Sequence, residues 1–133
     1  MKGNLRVAFA TVLVLFLSAA SLMAHHSAGA TYDTSKPMTL KGTVTKLDWR
    51  NPHIYYYIDV KDSNGTVTNW AIESSTPNSL YRAGWRKTDL KVGDTVTIEG
   101  ASPARNGSSK AYGGTVFLPD GRKVFSGSAA YDK

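Results

Sequence analysis

The chain has 133 residues and a formal net charge of +6, a length that suits one domain with a small core. The absence of cysteine excludes disulfides, thiolate metal sites and thiol catalysis. Without Lys2 and Arg6 of the leading segment, 14 basic residues stand against 10 acidic ones, which gives +4. Because these cations are scattered, the surplus predicts a solvated surface without a site for a polyanion.

The chain begins with the pattern of a secretory signal peptide. Lys2 and Arg6 form a positive start, residues 7–17 an apolar middle, and small residues follow up to Ala24. The apolar middle is shorter than the roughly 20 residues of a spanning helix, although residues 5–24 are able to serve as an uncleaved anchor. We predict export to the periplasm or beyond, with membrane contact only if this segment is retained.

Two cleavage positions are compatible with this pattern. Cleavage after Ala20 uses a pair of small residues, whereas cleavage after Ala24 places Leu22 where a small residue is usual. Only the second makes His25 the first residue of the mature chain.

The elements predicted next form an arm and the first two strands. Residues 25–37 have little periodicity and predict an extended arm. Met38 to Trp49 and Ile54 to Val60 are rich in β-branched and aromatic residues, which predicts strands. Between them, Arg50-Asn51-Pro52-His53 predicts a stiff connection that holds His53 at the start of the second strand.

A hairpin and a short helix follow. The Asp62-Ser63-Asn64-Gly65 cluster predicts a turn into a third strand over Thr66–Glu73. Hydroxyl residues and a proline then predict a helix over Pro77–Ala83. Gly84 is expected to be its left-handed C′ residue, which places Trp85 against the helix.

The last third of the chain is predicted to be β-structure with one mobile loop. Thr95–Gly100 predicts a fourth strand, and Ala101–Lys110, rich in Ser, Gly and Asn, predicts a loop. Tyr112–Leu118 predicts a fifth strand with a bulge at Gly113-Gly114, and Arg122–Phe125 a short sixth.

Three strands, a short helix and then two strands is the order of an OB-like barrel. The predicted fold class is therefore all-β, a five- to six-stranded OB-like barrel with one short helix between strands three and four. A small β-sandwich or another Greek-key barrel is the alternative. The predicted domains are a signal peptide at 1–24, an arm at 25–37, the barrel at 38–126 and a loose tail at 127–133.

The three histidines, His25, His26 and His53, are the candidate metal ligands. If the mature chain begins at His25, its α-amine and imidazole together chelate a metal through two nitrogens. His53 adds a third nitrogen, with His26 as a competing or supplementary ligand. Nitrogen ligands without thiolate favour copper, with zinc or nickel next. Asp33 and Asp48 are candidates for orienting the imidazoles.

A simpler explanation accounts for the same residues. A His-His pair in an arm is often a polar tail, and a histidine beside proline is often a loop residue. Asp33 and Asp48 are then ordinary surface charges.

Aromatic residues form the second candidate site. Trp49, Tyr55, Tyr57 and Trp70 lie on or beside the predicted second and third strands, the elements with which OB barrels bind ligands. Alternation places Tyr55 and Tyr57 on one face and Tyr56 on the other. We favour packing as the explanation for most of these rings, because tyrosine suits a half-buried sheet.

No sequence pattern supports hydrolase or nucleotide chemistry. The chain has no serine nucleophile elbow, phosphate-binding glycine loop or paired carboxylates, and we assign no catalytic residue. An enzyme is therefore less favoured than a binding protein, and export argues against nucleic acid as a partner.

The chain resembles a family of small exported bacterial proteins classed as a domain of unknown function. The resemblance covers nearly the whole mature chain and implies export, a single β-barrel-like domain and cleavage just before His25, without an established activity. The motifs that carry it are His25-His26-Ser27, Lys36 to Val44, Trp49 to His53, Asn69-Trp70-Ala71, Arg82 to Arg86 and Gly93 to Val96.

Two functional hypotheses follow. The first is a periplasmic protein that holds a copper-type ion through His25, His26 and His53, for sequestration or delivery. The second is a metal-free envelope module that binds a glycan or a protein through surface aromatics.

Overall fold

The structure, a computed structural model, describes residues 27–126. The predicted signal peptide, the C-terminal tail, His25 and His26 lie outside these residues. No helix in the described range is long and apolar enough to cross a membrane. The elements are α1 Ser27–Thr31, β1 Met38–Asp48, β2 Tyr55–Lys61, β3 Val67–Glu73, α2 Pro77–Arg82, β4 Thr95–Pro103, β5 Lys110–Tyr112, β6 Thr115–Phe117 and β7 Lys123–Ser126.

Five strands close into a barrel in the order β1-β2-β3-β5-β4, and β4 pairs back with β1. The pair β3–β5 is parallel and the other pairs are antiparallel. Strands β6 and β7 extend the sheet from β4. Together with a helix between β3 and β4, this order confirms the prediction of an OB-like barrel.

Strand β1 closes the barrel because it serves two partners. It pairs with β4 up to Thr43 and with β2 from Thr43 onwards. At Gly42 the chain passes so close to β2 that an added Cβ would lie 2.4 Å from the carbonyl oxygen of Asp59. Only glycine permits this approach.

Strand alternation fills the barrel interior. Tyr56 and Ile58 of β2 are fully buried, and Tyr56 lies opposite Ile72 of β3. Packing is therefore the explanation for Tyr56. The core also contains Leu40, Val44, Ile54, Leu80, Leu90, Val96, Ile98, Ala101, Ala111, Val116 and Val124.

Helix α2 contributes Leu80 to the core, and both of its ends are capped as predicted. At the start, the Thr76 hydroxyl accepts a hydrogen bond of 3.1 Å from the Ser79 amide. At the end, Gly84 has φ +93°, its amide donates to Tyr81, and the Trp85 amide donates to Leu80. These two bonds form a Schellman motif, which turns the chain back against the barrel.

Replacing Thr76 by alanine is expected to lower the free energy of unfolding by about 1 kcal/mol, because the Ser79 amide loses its acceptor. Urea denaturation of the variant measures this change. Thr76→Ser keeps the hydroxyl and should unfold close to wild type. A loss of the same size in the serine variant would show that the threonine methyl group, and not the cap, is responsible.

The C-terminal strands differ from their predicted bounds. Strand β4 continues to Pro103, so only the rest of the predicted loop remains a loop. The predicted fifth strand is divided into β5 and β6 by Gly113 and Gly114, which both have positive φ. Two successive residues with positive φ turn the chain away from one partner strand and towards the next. The predicted bulge is therefore an interruption between two separate strands.

The predicted extended arm contains one helical turn. Residues 27–31 form α1, in a stretch where two alanines favour a helix. Tyr32 forms an isolated β-bridge with Ala104, and the next residues form a turn in which the Lys36 amide donates to Asp33 over 3.3 Å. The expectation of an extended conformation throughout residues 25–37 therefore fails at α1.

Candidate functional site

The candidate site is centred on the carboxylate of Glu73, the last residue of β3. In the sheet register, Glu73 lies opposite Tyr55 of β2 on one side and beside Tyr112 of β5 on the other. Paired residues of neighbouring strands share a face of the sheet. Since Ile72 is fully buried, these three side chains lie on the outer face of the barrel.

Glu73 accepts hydrogen bonds from two distant parts of the chain. Nδ1 of His53, in the connection before β2, contacts Oε1 of Glu73. The hydroxyl of Tyr32, in the segment before β1, donates to Oε2 over 2.7 Å. The Glu73 side chain is only 15% exposed, so these partners replace water that the carboxylate would otherwise bind.

Burial and hydrogen bonding act in opposite directions on this carboxylate. Burial alone would raise the pKa of Glu73, but hydrogen bonds from Tyr32, His53 and Tyr55 outweigh it and leave the pKa below its ordinary value. Burial of each phenol, its hydrogen bond to Glu73 and the negative charge of Glu73 raise the pKa of Tyr32 and of Tyr55. The cluster is therefore an ionised carboxylate surrounded by neutral phenols.

The backbone after His53 is fixed by β-type pairing with the residues that follow β3. The Ile54 amide donates to Ser75, and the Ser74 amide donates to Ile54. The peptide between Asn51 and Pro52 is cis. As predicted from the sequence, His53 therefore stands at the start of the second strand.

One ring nitrogen of His53 is hydrogen-bonded to Glu73, and the other does not contact Glu73 and is available to a ligand. Because Glu73 is an acceptor, Nδ1 of His53 carries the hydrogen and Nε2 of the neutral ring carries the lone pair. The His53 side chain is 38% exposed. A carboxylate that orients an imidazole in this way is the usual support of a metal-binding histidine, and it also supports an imidazole that accepts a proton.

The carboxylates proposed from the sequence as imidazole partners have other roles. Asp33 accepts hydrogen bonds from the Ser35 hydroxyl and amide, and it lies 3.8 Å from Arg105. Asp48 forms an ion pair of 2.7 Å with Arg50. The simpler explanation, ordinary surface charges, fits both of them, and Glu73 takes the place they were expected to have.

The structure divides the predicted aromatic site between two faces of the sheet. Tyr55 and Tyr57 lie on the outer face, where Lys46 sits over the Tyr57 ring at 5.1 Å from its centre. Trp70 lies opposite Ile58, on the inner face, and it packs against the core, as does Trp49. These four rings therefore do not form one surface.

Glu73, Tyr32 and Tyr112 are site residues that the sequence did not reveal. The Asn64-Gly65 turn was recognised, and extending its pairing residue by residue along the hairpin places Glu73 opposite Tyr55. The register of the hairpin was therefore a sequence signal that could have identified Glu73. The arrival of Tyr32 depends on a contact between residues 41 positions apart, for which the sequence offers no local pattern.

The model of a family of unknown function, DUF6152, matches residues 13–113. The chain belongs to this family. The comparisons with curated proteins and with solved structures found no match. Membership in DUF6152 confirms the resemblance noted in the sequence, and the matched range includes both His53 and Glu73.

A cavity of about 420 Å³ lies next to the Glu73 cluster of this DUF6152 barrel and shares Tyr112 with it. The Tyr112 ring, which helps to line the cavity, also stacks on Tyr32, with ring centres 5.5 Å apart. The other lining residues include one acidic residue, Glu99, and the hydroxyl residues Thr34, Ser102, Thr115 and Ser126. This volume lies within the usual range of small-molecule sites.

Stability in acid is expected to depend on Glu73. Because its pKa is lower in the folded protein, its contribution is complete above the ordinary value of 4.5 and is lost as the pH falls through the folded value. Glu73→Gln, which does not titrate, should therefore lose less unfolding free energy than wild type between about pH 5 and pH 3. Urea denaturation at several pH values measures both slopes, and equal slopes would contradict the role of Glu73.

Proposed function

We propose that this DUF6152 protein is an exported binding protein that holds a copper-type ion for sequestration or delivery. Nε2 of His53 is one ligand, and His25 and His26, at the start of the mature chain, supply the others. The observation that carries the proposal is the hydrogen bond from Nδ1 of His53 to Glu73, which leaves Nε2 directed away from the carboxylate.

The ligand set favours a metal that prefers nitrogen. The chain has three histidines and no cysteine, and within residues 27–126 no group of three or more His, Asp or Glu side chains is placed to hold a metal. The described residues therefore contribute His53 alone, and the proposal requires His25 and His26 for the remaining bonds. A free α-amine at His25 would add a further nitrogen, a donor set that suits Cu(II) before Zn(II) or Ni(II).

Titration of the exported, processed protein with Cu(II), followed by visible absorption, tests the proposal. We expect one ion per chain, and roughly 100-fold weaker binding in His53→Gln, because loss of a ligand should match at least the largest effects of losing a supporting residue. Glutamine keeps an N–H that is able to donate to Glu73, so this variant separates loss of the ligand from loss of the hydrogen bond. Zn(II) and Ni(II) are titrated in parallel.

Two results would contradict the proposal. One is Cu(II) affinity that is unchanged in a double variant lacking His25 and His53. The other is a mature chain that begins at Ser21, shown by intact mass, because the α-amine would then lie four residues before His25.

A metal-free module that binds a glycan is the second candidate, and the cavity beside Tyr112 favours it. An aromatic ring with surrounding hydroxyls and one carboxylate matches the surface of a neutral sugar. The outer face of β2 and β3, where Tyr55 and Tyr57 lie, is also where OB barrels bind oligosaccharides. NMR titration with glucose and with N-acetylglucosamine distinguishes this candidate, because shifts confined to the cavity without Cu(II) binding would favour it over the first.

A further inference from the structure

The carboxylate that orients His53 also holds the segment that leads into the barrel. Oε1 of Glu73 accepts from His53, and Oε2 accepts from Tyr32 over 2.7 Å. One carboxylate group therefore receives the proposed metal ligand on one oxygen and the chain leading into β1 on the other. A change in the hydrogen bond to either oxygen therefore alters the orientation of the carboxylate and the charge on its other oxygen.

Tyr32 is the central contact of an anchored segment, residues 31–33. Its side chain is only 4% exposed and its ring stacks on Tyr112. On both sides of Tyr32 the backbone is bonded to the end of β4 and the loop after it. The Arg105 amide donates to Thr31 over 2.9 Å, and the Asp33 amide donates to Pro103 over 2.8 Å.

The hydroxyl of Tyr32 acts on His53 only through Glu73. A carboxylate with one oxygen bonded to Tyr32 has a fixed orientation, so its other oxygen stays in place to accept the hydrogen on Nδ1 of His53. Without the hydroxyl, Glu73 keeps its hydrogen bonds with His53 and Tyr55 but loses the bond at Oε2, so the imidazole loses part of the restraint on its tautomer and its direction. Tyr32 and Glu73 are thus positioning residues for His53.

We infer that Tyr32 and Glu73 form a relay that couples cation binding at Nε2 of His53 to the anchoring of residues 31–33. The inference rests on the proposed function, because the cation is the ligand of that same site. The coupling is reciprocal. If anchoring of residues 31–33 increases the affinity for the cation, binding of the cation stabilises the anchored state by the same free energy.

Tyr32→Phe tests the relay, because it removes the hydroxyl and keeps the ring that stacks on Tyr112. We expect Cu(II) to bind this variant roughly fivefold more weakly than wild type, within the usual range of coupling between sites. Glu73→Gln should weaken binding about tenfold, as loss of a supporting carboxylate usually does. Tyr81→Phe is the matched control, since Tyr81 is 60% exposed on α2, and it should bind like wild type.

Hydrogen exchange supplies the reciprocal measurement. In wild type, Zn(II) or Cu(II) should slow exchange severalfold in the peptides that contain the Asp33 and Arg105 amides. In Tyr32→Phe the same ions should have little effect on those peptides. A purely structural role of the hydroxyl would make these amides exchange faster in the variant but would leave the effect of the ion unchanged.

The outcomes separate the relay from the proposed function. If wild type binds Cu(II) and Tyr32→Phe binds it equally well, the relay is wrong and the proposed function stands. If wild type binds no Cu(II), the proposed function is wrong, and the relay is judged without metal from the ¹⁵N shifts of the His53 ring under mildly alkaline conditions. The relay predicts an Nδ1–H tautomer in wild type and a mixture in Tyr32→Phe, so identical shifts would overturn it.

Discussion

Gly42→Ala is expected to lower the free energy of unfolding by about 3 kcal/mol, at the upper end of overpacking effects. An alanine Cβ would lie 2.4 Å from the Asp59 carbonyl oxygen and 3.2 Å from Cγ2 of Val60. The first of these atoms belongs to the backbone of β2, so it cannot move unless the pairing of Thr43 with Asp59 is disturbed. Because β1 also pairs with β4, the disturbance reaches the closure of the barrel.

Thermal unfolding followed by circular dichroism measures this change, which corresponds to about 15 °C for a domain of this size. Gly29→Ala is the matched control. Within residues 27–126, and apart from its chain neighbours and its own helix backbone, no atom lies within 4 Å of its added Cβ. Alanine also favours the helical turn that contains it, so the stability of this variant should equal or exceed that of wild type. If Gly42→Ala unfolded within about 0.5 kcal/mol of wild type, the range of ordinary surface substitutions, the close approach of β1 to β2 would be contradicted.

Glu73→Ala is expected to cost about 3 kcal/mol of unfolding free energy near neutral pH. The substitution removes a hydrogen-bonded charge and leaves its donors, among them the Tyr32 hydroxyl and Nδ1 of His53, without their acceptor in a mostly buried position. Glu73→Gln should cost only about 1 kcal/mol, because its amide oxygen still accepts from His53 while its N–H group donates to the Tyr32 oxygen. The two variants separate loss of hydrogen bonding from loss of charge.

Urea denaturation at neutral pH measures both variants, with Glu99→Ala as the control. Glu99 is an exposed carboxylate on β4, and removing it should change the stability little. Equal losses in Glu73→Ala and Glu99→Ala would mean that the cluster around Glu73 contributes nothing to folding. A larger loss in Glu73→Gln than in Glu73→Ala would show that the amide disrupts the cluster more than a gap does.

The barrel was predictable because its elements are set by local chemistry. A nearly unbroken run of β-branched and aromatic residues predicted β2, the Asn64-Gly65 pair predicted the hairpin, and Thr76 with Gly84 predicted both ends of α2. The order of these elements then pointed to an OB-like topology. The places where prediction failed, at α1 and at Gly113-Gly114, are stretches of small residues whose conformation follows from what lies around them.

The site was predictable only in part. His53 was identified because proline and a strand start beside it restrict its position. Its partner was not identified, since a search for carboxylates near the histidines in sequence led to Asp33 and Asp48, whereas the structure joins His53 to a glutamate 20 residues away. The aromatic set is divided for a related reason: strand alternation sends Trp70 to the inner face and Tyr55 to the outer face of the same hairpin.

By itself the sequence determined the all-β class, the hairpin, the capped helix and His53 as a residue of interest, because each depends on backbone preferences over a few neighbouring residues. Only the tertiary structure decided which side chains meet at Glu73. Strand register and barrel closure place Tyr55 and Tyr112 on either side of it, and the leading segment brings Tyr32 to its second oxygen. Hydrogen bonds between residues distant in sequence form only after the intervening chain has folded, so no local pattern encodes them.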